Sequence, residues 1–475
     1  MRDFLYHGAW LGLLPLSFYS AHLGILLWIW AAMLPPADLM YGTFGVVLPF
    51  NKLAAASVFI SLLARPQRKF FYFDFLMGVV ASYVLIVTAS YLLAPEHSGV
   101  ADVQYDKLWK ELVLAFLITG IMYTRHRLHQ VALVMSIAFG FYMAKEGLIF
   151  LLTAGGHHVD GSGVTGDNNG LALALLMLVP ILLFVAKYTA ERWIQLGMYI
   201  TAGLGAVTVI ATYSRGGFIG LITLGFMLLK GSKHRIRNLA LIAAVGLLLY
   251  QLMPDDYLTR MDTIAQADED DSFTIRLVAW KINLLMALDR PLLGFGPFGS
   301  LLGSNWFTRI QEASTFLFPT PIINRTFVAH SIYFQALGDT GFLGLFLFLL
   351  MLTTALFYTI ATQRRARRDP ALTWAADLAR ATQIATVVYM VCGAALSNIY
   401  FEPLYLLLAL TSRVRQTVRV ATAPQRLPMA NLECTRAVSA FEPAEVRAAD
   451  RRPRTSYRSK SGAKMRSLLP AGPES

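Results

Sequence analysis

The sequence predicts an all-α polytopic membrane protein with about 12 transmembrane helices and one long loop between spans 9 and 10. Three observations predict it. The 475 residues are 56% hydrophobic and 15% charged, with a mean hydropathy of +0.53, whereas a soluble globular protein is about 25% charged. Many runs reach the ~20 apolar residues needed to cross a bilayer. One long polar interval, residues 254–330, then interrupts the pattern, with nine apolar runs before it and about three after.

Taken in order, the spans fall at roughly 9–34, 45–64, 74–93, 107–123, 129–152, 168–187, 193–212, 214–230, 236–253, 340–361, 378–399 and 402–413. Pro15 and His22 interrupt the first, which also reads as two shorter helices. It lacks a small-residue cleavage site and reads as a retained span rather than a signal peptide. Four regions follow: helices 1–9 over 1–253, the loop over 254–330, helices 10–12 over 331–413, and a basic tail over 414–475.

Lys/Arg bias in short loops sets orientation. With the N-terminus inside, the inner loops hold Arg65, Arg68 and Lys69, then Arg125 and Arg127, then Lys187 and Arg192. Lys230, Lys233, Arg235, Arg237 and the 364–368 arginines continue the series, while the outer loop at 94–106 opens on Glu96 and Asp102. Both termini are therefore expected in the cytoplasm.

The net charge of +12 does not point to nucleic acid, because +8 of it sits from Arg413 onward, where 13 Lys/Arg face 5 Asp/Glu. That low-complexity tail predicts disorder and contact with anionic lipid headgroups. Cys392 lies in an apolar run and Cys434 in the tail, so neither a disulfide framework nor metal spacing is present.

The predicted topology gathers four polar features on the outer face: the 153–168 turn, the Tyr213-Ser214-Arg215 turn, the long loop, and His330. Within the loop, Ser272 to Asp289 reads as an amphipathic helix with Leu277, Trp280, Leu284 and Leu288 on its apolar face. Such a helix is expected to lie along the membrane surface. Gly294-Phe295-Gly296-Pro297-Phe298-Gly299 matches G-x-G-x-x-G but follows a helix, so it reads as a tight turn rather than a dinucleotide site. The acidic run 268–271 lacks the turn glycines of a calcium loop and reads as solvated charge.

Arg215 stands against the positive-inside trend, in the first turn of a helix, where the dipole disfavours a cation by ~0.3–1 kcal/mol. A phosphate reverses that sign, since helix N-termini and the arginine fork both favour anions. Gly216 and Gly217 would let a ligand approach the backbone. The alternative is an arginine snorkelling to headgroups or paired with a loop aspartate. Arg276 is similar, with a solvated face as its plainer reading. Lys145 lies in an apolar helix, where charge has a partner or a task; Glu146 points about 100° away, so the two need not pair. Lys107 and Lys110 add to an anion site or anchor their helix. His330 can accept a proton from a hydroxyl, or it is a structural histidine. Asp167, Asn168 and Asn169 are good helix caps, with sugar contact as the sharper reading.

Thr212-Tyr213-Ser214-Arg215-Gly216-Gly217 resembles the S-R-G turn of the O-antigen ligase and O-antigen polymerase superfamily. Arg276-Leu277-Val278-Ala279-Trp280 and Pro291-Leu292-Leu293-Gly294-Phe295-Gly296 resemble its R-x-x-x-W and P-hydrophobic-G-x-G patterns. Ala329-His330-Ser331 with Gly338-Asp339-Thr340-Gly341-Phe342-Leu343-Gly344 resembles its closing signature. Gly140-Phe141-Tyr142, Lys145 and Asp167-Asn168-Asn169 look most like the O-glycosylation ligases associated with exosortase systems.

The resemblance covers about residues 1–412. It implies a C-type glycosyltransferase fold in the bacterial inner membrane, with the long loop periplasmic. It implies a polyprenyl-diphosphate-linked glycan (undecaprenyl diphosphate) as donor, no metal and no other cofactor. The acceptor is a glycan, lipid or protein hydroxyl. Carried over by position, Arg215 and Arg276 would bind the diphosphate and His330 would activate the acceptor. Lys145, Lys107, Asp167, Asn168 and Ser214 are further candidate donor or sugar contacts. A polysaccharide polymerase of the same superfamily is the alternative. A lipid-linked sugar flippase is the more distant one, since transporters favour repeats and midplane sites and the sequence shows no repeat.

Overall fold

The structure, a computed structural model, describes residues 2–35, 49–65, 72–161, 166–230, 235–236, 239–240, 246 and 271–423, with 2–6 and 271–272 by backbone alone. Most of the predicted ninth span at 236–253, the acidic stretch through residue 270 and the tail past 423 lie outside the described residues. The chain divides into two units, Met1–Thr422 and Ala423–Ser475. All helices named below belong to the first.

Among the described residues the regular structure is entirely helical. In order come α1 (Arg2–Tyr19), α2 (Ala21–Met33), α3 (Phe50–Ala64), α4 (Phe75–Leu92) and α5 (Gly99–Ile121). Then follow α6 (Arg125–Leu152), α7 (Asn168–Lys187), α8 (Arg192–Ala211), α9 (Arg215–Lys230) and α10 (Asp271–Asp289). The series closes with α11 (Gly303–Thr315), α12 (Ile332–Ala366), α13 (Thr373–Gly393) and α14 (Glu402–Ala421). Five of them, α4, α6, α7, α8 and α12, are long and apolar enough to cross a membrane, while α2 and α3 are apolar but shorter.

The first apolar run is two helices, broken at Ser20 in extended conformation. Side-chain caps start several others: Asp74 accepts from Met77 N at 3.0 Å, Ser98 from Ala101 N at 3.1 Å, and Thr124 from Arg127 N at 3.3 Å. Each satisfies a donor that the helix cannot pair internally. The centre of the bundle is α7, buried along nearly its whole length and packed by α6, α8, α9 and α13. Its sequence is apolar all round, as a helix without a water-facing side must be.

A break in α12 positions the site. Gly341 (φ 68°, ψ −170°) interrupts the helix. The Pro291–Gly296 turn supplies hydrogen bonds there: Phe295 N and Gly296 N each donate at 3.0 Å, to Gly338 O and Asp339 O, and Phe342 N donates to Pro291 O at 2.8 Å. Ser90 of α4 joins, donating to Asp339 O at 2.6 Å and accepting from Gly296 N at 3.0 Å. A Cβ on Gly294 (φ 62°) would sit 2.5 Å from Gly338 O, so only glycine allows the approach. The G-x-G stretch is thus a turn, as expected, and its partner is a broken helix.

The amphipathic helix forms, but its buried face is not the expected stripe. Val278, Ala279, Ile282, Leu285 and Met286 are buried with Trp306, Ile310 and Ala313 of α11 and with Phe295, whereas Leu288 is 51% exposed. The helix packs on α11 and α12, and a face other than the one assigned to the membrane surface belongs to a small core of its own. Lys281, 3% exposed, anchors that core. Its ammonium donates to Ala313 O at 3.1 Å, Thr320 Oγ1 at 3.2 Å and Phe318 O. Ala313 lies in the last turn of α11, where carbonyls lack helical partners and favour a cation. Burial lowers the Lys281 ammonium below its usual pKa.

Candidate functional site

The two turns predicted to form one wall are clasped together. Asp167 caps α7, accepting from Gly170 N at 2.6 Å. Asn168 Nδ2 donates to Thr212 O at 2.8 Å, and Ser214 Oγ donates to Asn169 Oδ1 at 2.6 Å. Ser214 also caps α9, accepting from Gly217 N at 2.9 Å. Its hydroxyl is therefore committed to the clasp, and Arg215 opens the helix directly after it. A Cβ on Gly217 would meet Ala172 Cβ at 2.9 Å. Packing against α7, rather than access for a ligand, requires glycine there.

His330 precedes α12 in the left-handed region (φ 48°), which few non-glycine residues adopt. Its N–H donates to Ser397 Oγ at 2.7 Å, fixing it to the link between α13 and α14. Tyr213 and Phe298 share that backbone strain, with φ of 53° and 54°, and such strain collects at functional sites. Arg276 on α10 and Asp167 both lie close enough for their charges to reach the His330 ring. One turn beyond Arg276, Trp280 stacks on Phe334 of α12 with ring centroids 5.0 Å apart. That is a physical reason for arginine and tryptophan four residues apart: the indole docks the helix and the guanidinium's charge reaches the histidine. Burial pushes the imidazole below its usual 6.5, Arg276 pushes it further down, and Asp167 opposes both. The ring is neutral at pH 7 and able to accept a proton.

His330 lines a cleft of about 700 Å³, within the ~300–1,000 Å³ usual for small-molecule sites. One face of α5 forms a wall: Val100, Val103, Gln104, Lys107, Glu111 and Leu114 recur at helical spacing. Trp28, Asp167, Phe298 and the 396–402 link complete much of the rest. Lys107 Nζ stands 3.8 Å from Glu111 Oε1. Asp106 pairs with Lys110, and Tyr400 donates to Asp339 Oδ2 at 3.0 Å.

Of the predicted site residues, the structure brings His330, Asp167 and Lys107 to one cleft and Arg276 beside it. Ser214 and Asn168 belong to the clasp beside Asp167, and Arg215 begins α9 directly after it. Lys145 is elsewhere: its ammonium lies 2.7 Å from Glu146 Oε1, and His157 Nε2 lies 2.7 Å from Glu146 Oε2. The expectation that Lys145 and Glu146 need not pair is corrected, because long side chains bridge the 100° between neighbours. Glu111, Ser397 and Glu402 escaped the sequence reading. Glu111 left a signal, an acid inside a predicted span four residues after Lys107. Ser397 left none. Among the described residues, no three His, Cys, Asp or Glu side chains gather as metal ligands would.

Residues 200–349 match the family model described as O-Antigen ligase. This stretch of the chain is an O-antigen ligase domain. Residues 1–190 match a family of unknown function (DUF5935), and no curated protein matches the chain. Arg215, Arg276 and His330 fall inside the ligase match, whereas Lys107, Glu111 and Asp167 fall in the other. The ligase domain and five helices long and apolar enough to cross a membrane together point to a multi-pass protein of the bacterial inner membrane. The domain supports a membrane glycan-transferring function of ligase or polymerase type.

Proposed function

We propose that the protein transfers a glycan from a polyprenyl-diphosphate carrier to an acceptor hydroxyl on the periplasmic side, as an O-glycosylation ligase of the exosortase-associated kind. In this reading the chain crosses the membrane about 12 times with both termini cytoplasmic, and the 254–330 segment is the periplasmic loop. The observation that carries it is the setting of His330, a neutral imidazole on a cleft wall with Arg276 beside it.

The chemistry balances without a metal. His330 takes the acceptor's proton as its oxygen bonds the anomeric carbon. The bond from that carbon to the diphosphate oxygen breaks, and the electron pair leaves with the diphosphate. Arg215 and Arg276 stabilise the charge that develops there, and attack opposite the leaving group inverts the sugar.

Purified protein, a lipid-linked glycan and protein, lipid-core and glycan acceptors test this, with the product that gains mass as readout. A protein product is expected. A lengthened lipid-linked glycan would make the protein a polymerase. Movement of lipid across vesicles that survives loss of His330 would make it a flippase.

A further inference from the structure

Behind His330 lies a buried polar network that the transfer scheme does not use. It grips the link between α13 and α14 at residues 398–400. Ile399 N donates to Gln335 Oε1 at 3.3 Å. Tyr389 OH donates to Asn398 O at 2.8 Å, and Tyr405 OH to Ile399 O at 3.1 Å. Tyr400 OH donates to Asp339 Oδ2 at 3.0 Å. Gln335, Asp339, Tyr389, Tyr400 and Tyr405 are all buried, and a buried network with its partners in place fixes one arrangement.

Two of these residues belong to α12, the helix that begins two residues after His330. Gln335 and Asp339 stand one turn apart on the same face. At the start of the link, Ser397 Oγ accepts the His330 N–H. The contacts therefore close a circuit, from His330 to Ser397, along the link to Ile399 and Tyr400, and back through Gln335 and Asp339 to α12. Asp339 is also a junction, because its backbone oxygen accepts from Gly296 N and from Ser90 Oγ. Its side chain ties the link that holds His330, and its main chain ties the turn that follows α10, the helix of Arg276. The positive φ of His330 persists only where the surroundings over-determine it, and this circuit does so.

We propose that Asp339 and Gln335 are positioning residues for the transfer: through Tyr400 and Ile399 they hold Ser397 where it fixes His330 in the cleft. The inference rests on the reading of His330 as proton acceptor and adds what aims it. It is indifferent to whether the Asp339 carboxyl is ionised, since the phenol is the donor and either form keeps an acceptor oxygen.

Turnover, undecaprenyl diphosphate binding and hydrogen exchange at residues 329–331, all on the full chain in nanodiscs, test this. Tyr400→Phe deletes one hydroxyl and keeps the ring. It and Ser397→Ala should each lower kcat about tenfold, the size of one lost hydrogen bond, with KM and undecaprenyl diphosphate affinity unchanged and exchange at 329–331 faster. Ser397→Thr keeps the hydroxyl and should recover most of the loss. Asp339→Leu should match Tyr400→Phe, and Asp339→Asn, which keeps an acceptor, should recover part. An imidazole released from its burial should also titrate nearer 6.5, which moves the acid limb of kcat upward in Tyr400→Phe. Full turnover in Tyr400→Phe overturns the proposal, and that variant alone decides if Asp339→Leu does not fold. Reduced turnover with unchanged exchange at 329–331 overturns it too, because Tyr400 would then act on substrate directly. A fall in diphosphate affinity alongside turnover would mean a general loosening and has the same consequence. Full turnover in His330→Ala is the separate outcome that sinks the proton-acceptor reading, and the proposal with it.

Discussion

Two regions of the molecule that carry the candidate residues are built in opposite ways. On one side stand helix starts and turns. Ser214 caps α9 and hands the chain to Arg215, Asp167 caps α7, and Arg276 rides on a helix docked by Trp280. On the other side, α5 and α14 bring buried carboxylates and Lys107 into the cleft. The first suits anions, through helix N-termini and guanidinium groups. The second lines the cleft with acids and lysines instead. The difference teaches that a polar group at a helix end needs only local structure, whereas a carboxylate within the bundle needs a partner from another helix.

The largest effect should come from His330, which lines the cleft. Replacing His330 with Ala should cut turnover roughly 10²–10⁴-fold while donor binding persists, measured by single-turnover assay against an undecaprenyl diphosphate binding curve. Undiminished turnover would remove the proton acceptor from the scheme. Next come Arg215→Gln and Arg276→Gln, each expected to weaken donor binding or transfer roughly 10–100-fold, as loss of a charged hydrogen bond does. Lys at either position should restore only part, because an ammonium lacks the planar fork. Donor affinity untouched in the double variant would dissolve the contrast between the two regions.

Lys281→Met should destabilise the α10–α11 core by about 1–3 kcal/mol, read as faster hydrogen exchange at 303–320. The carbonyl oxygens that Lys281 serves would lose their buried donor. The pH effect is smaller and has a defined sign. His330 titrates below 6.5, so activity should hold from pH 7 down past that value and fall as the imidazole protonates. Arg276→Gln removes a lowering charge and should move this acid limb upward. Asp167→Asn removes a raising charge and should move it downward, with the α7 cap kept because asparagine also caps. Shifts in one common direction would mean that neither charge acts on the ring. Smallest of all, Lys145→Met should change transfer by only a few-fold, since a half-exposed pair is worth about 0–1 kcal/mol.

Much of the helical pattern was legible because each apolar run announces itself locally. The helix over 168–187 starts and stops where its cap and its terminal Lys187 suggest. The buried face of α10 was not legible: Leu277, Trp280, Leu284 and Leu288 fit a helical stripe as well as Val278, Ile282 and Leu285 do. Only the position of α11 chooses between them. The site shows the same split. Arg215, Arg276 and His330 stand in turns and a polar interval where their type is unusual. Glu111 sits in a run read simply as a span, and Glu402 shares its cleft with α5, almost three hundred residues earlier in the chain.

The sequence alone determined that this chain is helical and built for a bilayer, and it singled out the arginines and the histidine as candidates, because periodicity and local chemistry act over one or two turns. The tertiary structure decided the rest. It joined the 167–169 and 212–217 turns, filled the gap in α12 with the Pro291–Gly296 turn, and turned α5 so that Lys107 and Glu111 face His330. These outcomes depend on which distant surfaces meet, and hydrophobic burial, being non-directional, leaves that choice to the packing of the whole bundle.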